Sequence, residues 1–410
     1  MKIFLGFVIL SVLSNGIHVE GSAEIDVMLK RLNKPAVKTI KSEDGDIIDC
    51  VDIYKQLAFD HPALKNHKIQ KKSSAKLNSD QPGSIKLNSS KTIMPQTWRK
   101  AGECPEGTIP VRRVRLEEIT SASNASQFGR KAPYYNRLLD IAHRNPTNFS
   151  LLGDAFKSSS SQERSEAFLT AVGYNYIGSQ SDINVWNPKI ESGDFSSGQI
   201  WMQNGPGDAF ESVEAGWVVN QGIFGDSRTR LFAYWTKDGY KTTGCFNLLC
   251  SGFVQTSAKI ALGAPVEPIS SGDNQYDITI GLFKDANNGD WSLHLGDEVV
   301  GYWPGSLFSY LGHSAILVKW GGGVYSRNVK KSPHTKTQMG SGYWASGLKT
   351  NSAYHTNIRI KDYSLAIKYP ENLSEFADEY DCYSTKLYRD NYMAEPFFYF
   401  GGPGQNPRCP

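Results

Sequence analysis

The chain has 410 residues, and its 44 Lys and Arg against 41 Asp and Glu leave a formal net charge of only +3. So small a charge on a 45.5 kDa protein gives no reason to expect a nucleic-acid partner. With 9 Trp, 20 Tyr and 19 Phe the chain is not disordered and is large enough for two domains, while 6 Cys are too few to build a fold from cystine alone.

Residues 1–21 read as a secretory signal peptide. Lys2 gives the positive start, Ile3 to Leu13 form the apolar run, and Val19 and Gly21 are the small residues before the cleavage point. A membrane anchor is the weaker reading, because a run of about 11 apolar residues falls short of the roughly 20 that a spanning helix needs. An exported, membrane-free mature chain is therefore expected. Four sequons, at Asn88, Asn124, Asn148 and Asn372, suit that route.

Residues 22–113 are Lys-rich and contain two ordered islands. In the first, the alternation in Ile47-Ile48-Asp49-Cys50-Val51-Asp52-Ile53-Tyr54 predicts a short strand. Lys65, Lys68, Lys71, Lys72 and Lys76 follow without an acidic residue among them and read as a solvated segment, ahead of the turn-rich Ser79 to Gly83. The second island begins at Trp98 and continues through Gly102 to Pro110. Residues 114–165 have linker composition, with two sequons and the Ser158 to Ser161 run. The basic pairs Arg112-Arg113 and Arg130-Lys131 are expected as exposed charge, with processing sites as the alternative.

From 166 to 410 the texture changes to short apolar runs such as Ile200-Trp201-Met202, Trp217-Val218-Val219 and Leu231 to Trp235, separated by Gly, Asn, Asp and Pro. This predicts an all-β domain of antiparallel strands, a sandwich or barrel, preceded by a small mixed domain. No repeat of 20 to 50 residues occurs, which excludes propellers and solenoids. The cysteines follow the same division: Cys50 with Cys104, Cys245 with Cys250, and Cys382 with Cys409. That pairing rests on domain location alone, since six cysteines allow 15 connectivities. Zinc is a poor rival, with no Cys-x-x-Cys pair and no ligand spacing among His294, His313, His334 and His355.

No Gly-x-Ser-x-Gly, phosphate-cradling loop or dinucleotide fingerprint is present, and Gly340-Ser341-Gly342 reads as a glycine-rich strand end or turn. Carboxylates remain. In Val213-Glu214-Ala215-Gly216-Trp217-Val218-Val219 the alternation sends Val213, Ala215, Trp217 and Val219 to one face and Glu214 to the other, beside Gly216, whose missing side chain would leave an open floor. A half-dry carboxylate there can have a raised pKa and act as acid or base; a solvated outer-face carboxylate is the competing reading. Glu298, at a strand entry, is a weaker candidate.

Ile200-Trp201, Asn204-Gly205, Val213 to Trp217, Gly225 to Arg228, Tyr234-Trp235-Thr236, Asp238-Gly239-Tyr240, Gly244-Cys245, Gly252 to Thr256, Val300 to Pro304, Trp320-Gly321-Gly322, Thr337 to Gly342 and Tyr399 to Gly404 together resemble the catalytic domain of the neprosin family of plant secreted proteins. Upstream, Leu32 to Pro35, Asp49 to Tyr54, His61 to Leu64 and Cys104-Pro105 with Gly107 to Pro110 resemble that family's activation peptide. The resemblance implies a sandwich of two antiparallel sheets, made as a zymogen whose prodomain covers the cleft. It also implies a glutamic endopeptidase that cleaves proline-containing peptides after proline in acid, using two glutamates and no cofactor or metal. The first glutamate falls on Glu214. The second would directly follow Trp320-Gly321-Gly322, where this chain has Gly323. Two expectations follow: a peptidase weakened at position 323, or an inactive peptidase-fold protein that holds proline-rich peptides or cell-wall polymer.

Overall fold

The alternation at Ile47 is realised as the middle strand of a small antiparallel sheet. It consists of β1 (Ala36–Lys41), β2 (Ile47–Asp52) and β3 (Thr108–Arg112) in the order β1-β2-β3, with Cys50 bridged to Cys104. The computed structural model describes residues 23–70, 96–121, 125–144, 163–389 and 395–410. The expected signal peptide, the sequons at Asn88, Asn124 and Asn148, Lys71, Lys72, Lys76, and the runs Ser79 to Gly83 and Ser158 to Ser161 lie outside these residues. Asn372 is exposed in a turn, with φ +54°.

The remaining strands belong to one antiparallel network. In chain order they are β4 (Arg164–Asn184), β5 (Phe195–Asn204), β6 (Glu211–Asn220), β7 (Arg230–Thr236), β8 (Val254–Gln255), β9 (Asp277–Lys284), β10 (Trp291–Leu295) and β11 (Glu298–Trp303). They continue as β12 (Ala315–Tyr325), β13 (Ala353–Asp362), β14 (Ile367–Lys368), β15 (Leu373–Ala377), β16 (Ser384–Tyr388) and β17 (Phe397–Gly401).

The 21-residue β4 is long enough to serve two layers. Its first half pairs with β12 and β15, and its second half with β9 and β13. Between the halves Gly173 takes φ +102° and residues 173–175 leave the interior, so the strand bends from one layer into the other. One layer runs β7-β6-β5-β12-β4, and the other carries β9, β10, β11 and β8 on one side of β4 and β13, β17 and β16 on the other. This is the all-β antiparallel fold expected from the sequence. Ile200, Met202, Val213, Ala215 and Trp217 of the first layer meet Ile280, Leu282, Leu293, Phe398 and Phe400 of the second in one buried cluster, which is the sandwich core.

The small sheet is docked on the sandwich. Trp98, Ile40 and Ile48 cluster with Ala261 and Ala264. Gln96 exchanges hydrogen bonds with the Ala261 backbone, its Oε1 accepting from N at 2.7 Å and its Nε2 donating to O at 2.9 Å. Arg230, fully buried, pairs with Asp46 at 2.6 Å. Arg112 pairs with Asp46 and Glu118, and Arg113 with Asp49. The pair Arg112-Arg113, expected as exposed charge, is thus engaged in ion pairs within the N-terminal part, while Arg230–Asp46 and the Arg112 hydrogen bond to the Phe224 carbonyl at 3.3 Å reach across to the sandwich. The bridges Cys245–Cys250 and Cys382–Cys409 complete the expected set.

Candidate active site

Directly opposed residues of an antiparallel ladder share a face, so the register fixes which side chains meet. Glu214 on β6 opposes Trp201 on β5, which opposes Lys319 on β12; Gln199 opposes Gly216 and Gly321, and Ser197 opposes Gly323. Glu166 on β4 is the other partner of Gly323. Glu214, Gln199, Lys319, Gly323 and Glu166 therefore occupy the outer face of the first layer, opposite the sandwich core.

Two glycines on this face are required by close approach. A Cβ on Gly216 would stand 2.1 Å from the Gly198 carbonyl oxygen, and one on Gly321 2.2 Å from that of Ala167. The expected open floor at Gly216 is therefore filled by the β5 backbone.

Glu214 does not point at water; it is fully buried. Its Oε2 accepts from Gln199 Nε2 at 2.7 Å and its Oε1 from Ser212 Oγ at 3.0 Å. The Tyr240 hydroxyl donates to Oε1, and the Lys131 ammonium forms an ion pair with Oε2. Ser197 Oγ donates to Gln199 Oε1 at 2.8 Å, so a polar chain runs from Gly323's neighbour to Glu214.

Lys131, expected as exposed charge, is fully buried. Its backbone N–H donates to the Tyr234 hydroxyl at 3.0 Å, and its ammonium sits 4.6 Å from the Tyr234 ring centre. The segment 125–144 that carries it was expected as linker and lies beyond residue 113. Around it Phe128, Leu138, Leu139 and Ala142 pack against Phe210, Val218, Phe232 and Phe246, and the helix Arg137–Arg144 buries its apolar stripe there. Burial of these apolar side chains carries Lys131 in with them, so composition alone misleads about its exposure.

Burial by itself would raise the Glu214 pKa, as the sequence reading expected. The Lys131 cation and its hydrogen bond, with Tyr240 and Arg164 adding to them, instead hold the carboxyl below the ordinary range. Lys131 is pushed down to about 8 by burial, with Glu214 opposing that shift.

A second cluster lies beside the first. Burial would raise Glu166, but Lys319 at 2.6 Å and Arg164 at 3.4 Å keep it below the usual carboxylate range. The Arg164 guanidinium lies 3.8 Å from the Tyr134 ring centre, 4.7 Å from that of Tyr325 and 5.1 Å from that of Tyr240. It thereby links the Glu166 cluster to the tyrosine that holds Glu214. Lys319 stacks on Phe168 and Trp201 at 4.6 and 4.7 Å. An open groove lined by Phe128, Lys131, Phe195 and Tyr325 continues along the covering segment.

Glu298 is not brought here. It begins β11, separated from β6 by the five strands β5, β12, β4, β9 and β10, and accepts from Ser257 and Lys259 at 2.7 and 3.2 Å. Gly340 and Gly342, with φ +63° and +82°, form the expected turn. Among the described residues, His334, Cys382 and Cys409 come together as metal-ligand types do, but the two sulfurs are bonded to each other.

The pattern that defines the Neprosin family matches residues 192–403, and that of the Neprosin activation peptide matches residues 39–156. The second match includes Lys131. Among solved structures, a scytalido-glutamic peptidase bound to a transition state analog inhibitor is similar at 10% identity, covering 59% of this chain and 98% of that one, with a TM-score of 0.33. SCP-B, a member of the Eqolisin family of peptidases in a complex with the tripeptide Ala-Ile-His, is similar at 8% identity over 58% of this chain and 96% of that one, with a TM-score of 0.27. CG-16, a homodimeric agglutinin from chicken liver, shares 9% identity over 38% and 91%, with a TM-score of 0.21. Scores this low carry no argument about activity.

Proposed function

The chain belongs to the neprosin family, and on that premise we propose that it is the precursor of a secreted glutamic-type peptidase that cleaves proline-containing peptides in acid, with Glu214 as a catalytic carboxylate. The observation that carries this reading is the burial of Glu214 among Gln199, Ser212 and Tyr240 beneath a cation from the activation peptide. A carboxylate so surrounded is held in one orientation and one ionisation state, and both change when the covering segment leaves. Freed of Lys131, the carboxyl can exchange protons with water and substrate, which is the requirement for acid–base hydrolysis without a covalent intermediate. Lys131 keeps the precursor latent by occupying the place of the substrate.

Export through residues 1–21 and an oxidising destination agree with three disulfides and no free cysteine. The proline preference and the acid optimum rest on the family resemblance.

Gly323 favours a second reading, a binding protein for proline-rich peptides or wall polymer, because the position where a second glutamate is expected offers no proton donor or acceptor. The test is to incubate the precursor at acid pH with a proline-containing peptide and to follow the Glu214→Gln variant in parallel. The variant is expected to lose about 10²- to 10⁴-fold in rate. Activity in the parent that survives unchanged in Glu214→Gln would remove Glu214 from the mechanism, and a parent that binds but never cleaves would establish the binding reading.

A further inference from the structure

Resting on the peptidase reading above, we propose that Glu166 is the second catalytic carboxylate of this protein, supplied from β4 where the adjacent position on β12, Gly323, has none. The ladder places the two residues directly opposite one another, on the face that carries Glu214. The carboxylate is thus displaced by one strand and stays in the same row.

Gly323 is not glycine for backbone reasons. Unlike Gly321, it has no left-handed φ and no carbonyl oxygen in the way of a Cβ. The nearest atoms to an added Cβ are the far side of the Tyr325 ring at 3.2 Å and its hydroxyl at 3.6 Å, followed by Ser197 Oγ at 3.7 Å. A Cβ there meets no backbone atom and needs the Tyr325 ring to give by only a few tenths of an ångström.

The surroundings of Glu166 are those of a working carboxylate in a precursor. It is buried on the face that the activation segment covers. Tyr134, Asn136 and Leu138 of that segment close over Arg164, Glu166 and Lys319 and leave a small cavity between. Departure of the segment therefore opens Glu166 together with Glu214. Lys131 lies in the field of both carboxylates, bonded to one and attracted by the other.

The two carboxylates differ in what stays with them. Lys319 and Arg164 belong to β12 and β4 and remain after activation, whereas Lys131 departs. The other charged and titratable groups near Glu166 are Asp378, whose carboxylate accepts from the Glu166 N–H at 2.9 Å, Tyr134 and Tyr325. Near Glu214 they are Tyr240, Tyr234, Tyr325 and Arg164. Glu166 thus keeps its cations and stays ionised in acid, while Glu214 loses its strongest one and moves toward the protonated form. Two carboxyl groups pushed apart in this way divide the base and acid roles.

In the reaction, the Glu166 carboxylate takes a proton from water as the water oxygen bonds to the scissile carbonyl carbon. The carbonyl π electrons move to oxygen, which accepts the Glu214 proton. On collapse the C=O bond re-forms and returns that proton to Glu214, the C–N bond breaks, and the proton on Glu166 passes to the leaving nitrogen.

The experiment measures kcat/KM against pH on acid-matured protein with a proline-containing peptide, alongside the unfolding midpoint. Glu166→Gln is expected to lower kcat/KM about 10²- to 10⁴-fold. Glu166→Asp should retain measurable activity with a displaced acid limb, and the double variant Glu166→Gln/Gly323→Glu should regain about tenfold or more over Glu166→Gln. A merely structural Glu166 would not permit that relocation. Glu166→Gln with parental activity overturns this assignment and leaves the role of Glu214 standing. So does a folded set of variants in which neither the aspartate nor the relocated glutamate recovers activity. An inert parent overturns the peptidase reading and this assignment together.

Discussion

Along β6, Val213, Ala215 and Trp217 alternate with Ser212, Glu214 and Gly216, and the two sets face different interiors. Inward lies an aliphatic and aromatic core shared by the two layers of the sandwich. Outward lies a face as well excluded from water but built from Glu214, Glu166, Lys319, Arg164, Gln199 and a ring of tyrosines. Burial is the same on both sides, yet its energetic meaning is opposite. The inner face gains from the removal of apolar surface from water, whereas the outer face holds charges that are tolerable only while each has its partner. One interior is closed by the sandwich itself; the other is closed by a segment that falls within the activation-peptide match, and on the proposed function it opens when that segment leaves.

The comparison can be broken at three strengths. On the inner face, Trp217→Ala removes a fully buried indole whose Nε1 donates to the Asn184 carbonyl at 2.9 Å, and should cost about 3–5 kcal/mol in chemical unfolding. A loss under about 1 kcal/mol would mean that this interior is not the stabilising one.

On the outer face, pH is the lever. In the parent, Lys131 depresses Glu214, so the docking of the covering segment is fully supported above the ordinary Glu range of about 4.3 and weakens as pH falls through the lower folded value. In Lys131→Met the main cation is gone and burial raises Glu214, so the dependence reverses, with docking firm in acid and weakened as pH rises. Limited proteolysis of residues 125–144 across pH 3 to 8 reads this out, and equal release profiles for the two proteins would refute the conditional interior. The smallest effect is expected away from both faces. Glu298→Gln breaks a pair with the mostly exposed Lys259 and should change stability by no more than about 1 kcal/mol, with peptidase activity at the parental level. A large loss of activity would return Glu298 to the site.

Much of this was legible in the chain. Val213 to Val219 shows its two faces by alternation alone, because a strand sends successive side chains to opposite sides whatever it pairs with. The three cystines followed from the location of their residues in separate regions. Glu214 stood out as a candidate because a carboxylate in an apolar alternating strand is conspicuous, but the family resemblance rather than the alternation set it above a solvated carboxylate. Gln199 gave a weaker signal, as the polar member of the alternation Gly198-Gln199-Ile200-Trp201, and Lys131 gave none, since a basic pair in a polar stretch reads as exposed.

The sequence by itself determined the all-β class, the alternation that segregates Glu214 from Trp217, the likeness that names the family and the glycine at position 323. Those are properties of local pattern and residue identity. Only the tertiary structure decided that Glu166, 157 positions before Gly323 in the chain, is its neighbour across the ladder, and that Lys131 closes over Glu214. Strand register and the docking of a segment are set by the summed packing of distant side chains, and no short stretch of sequence carries that sum.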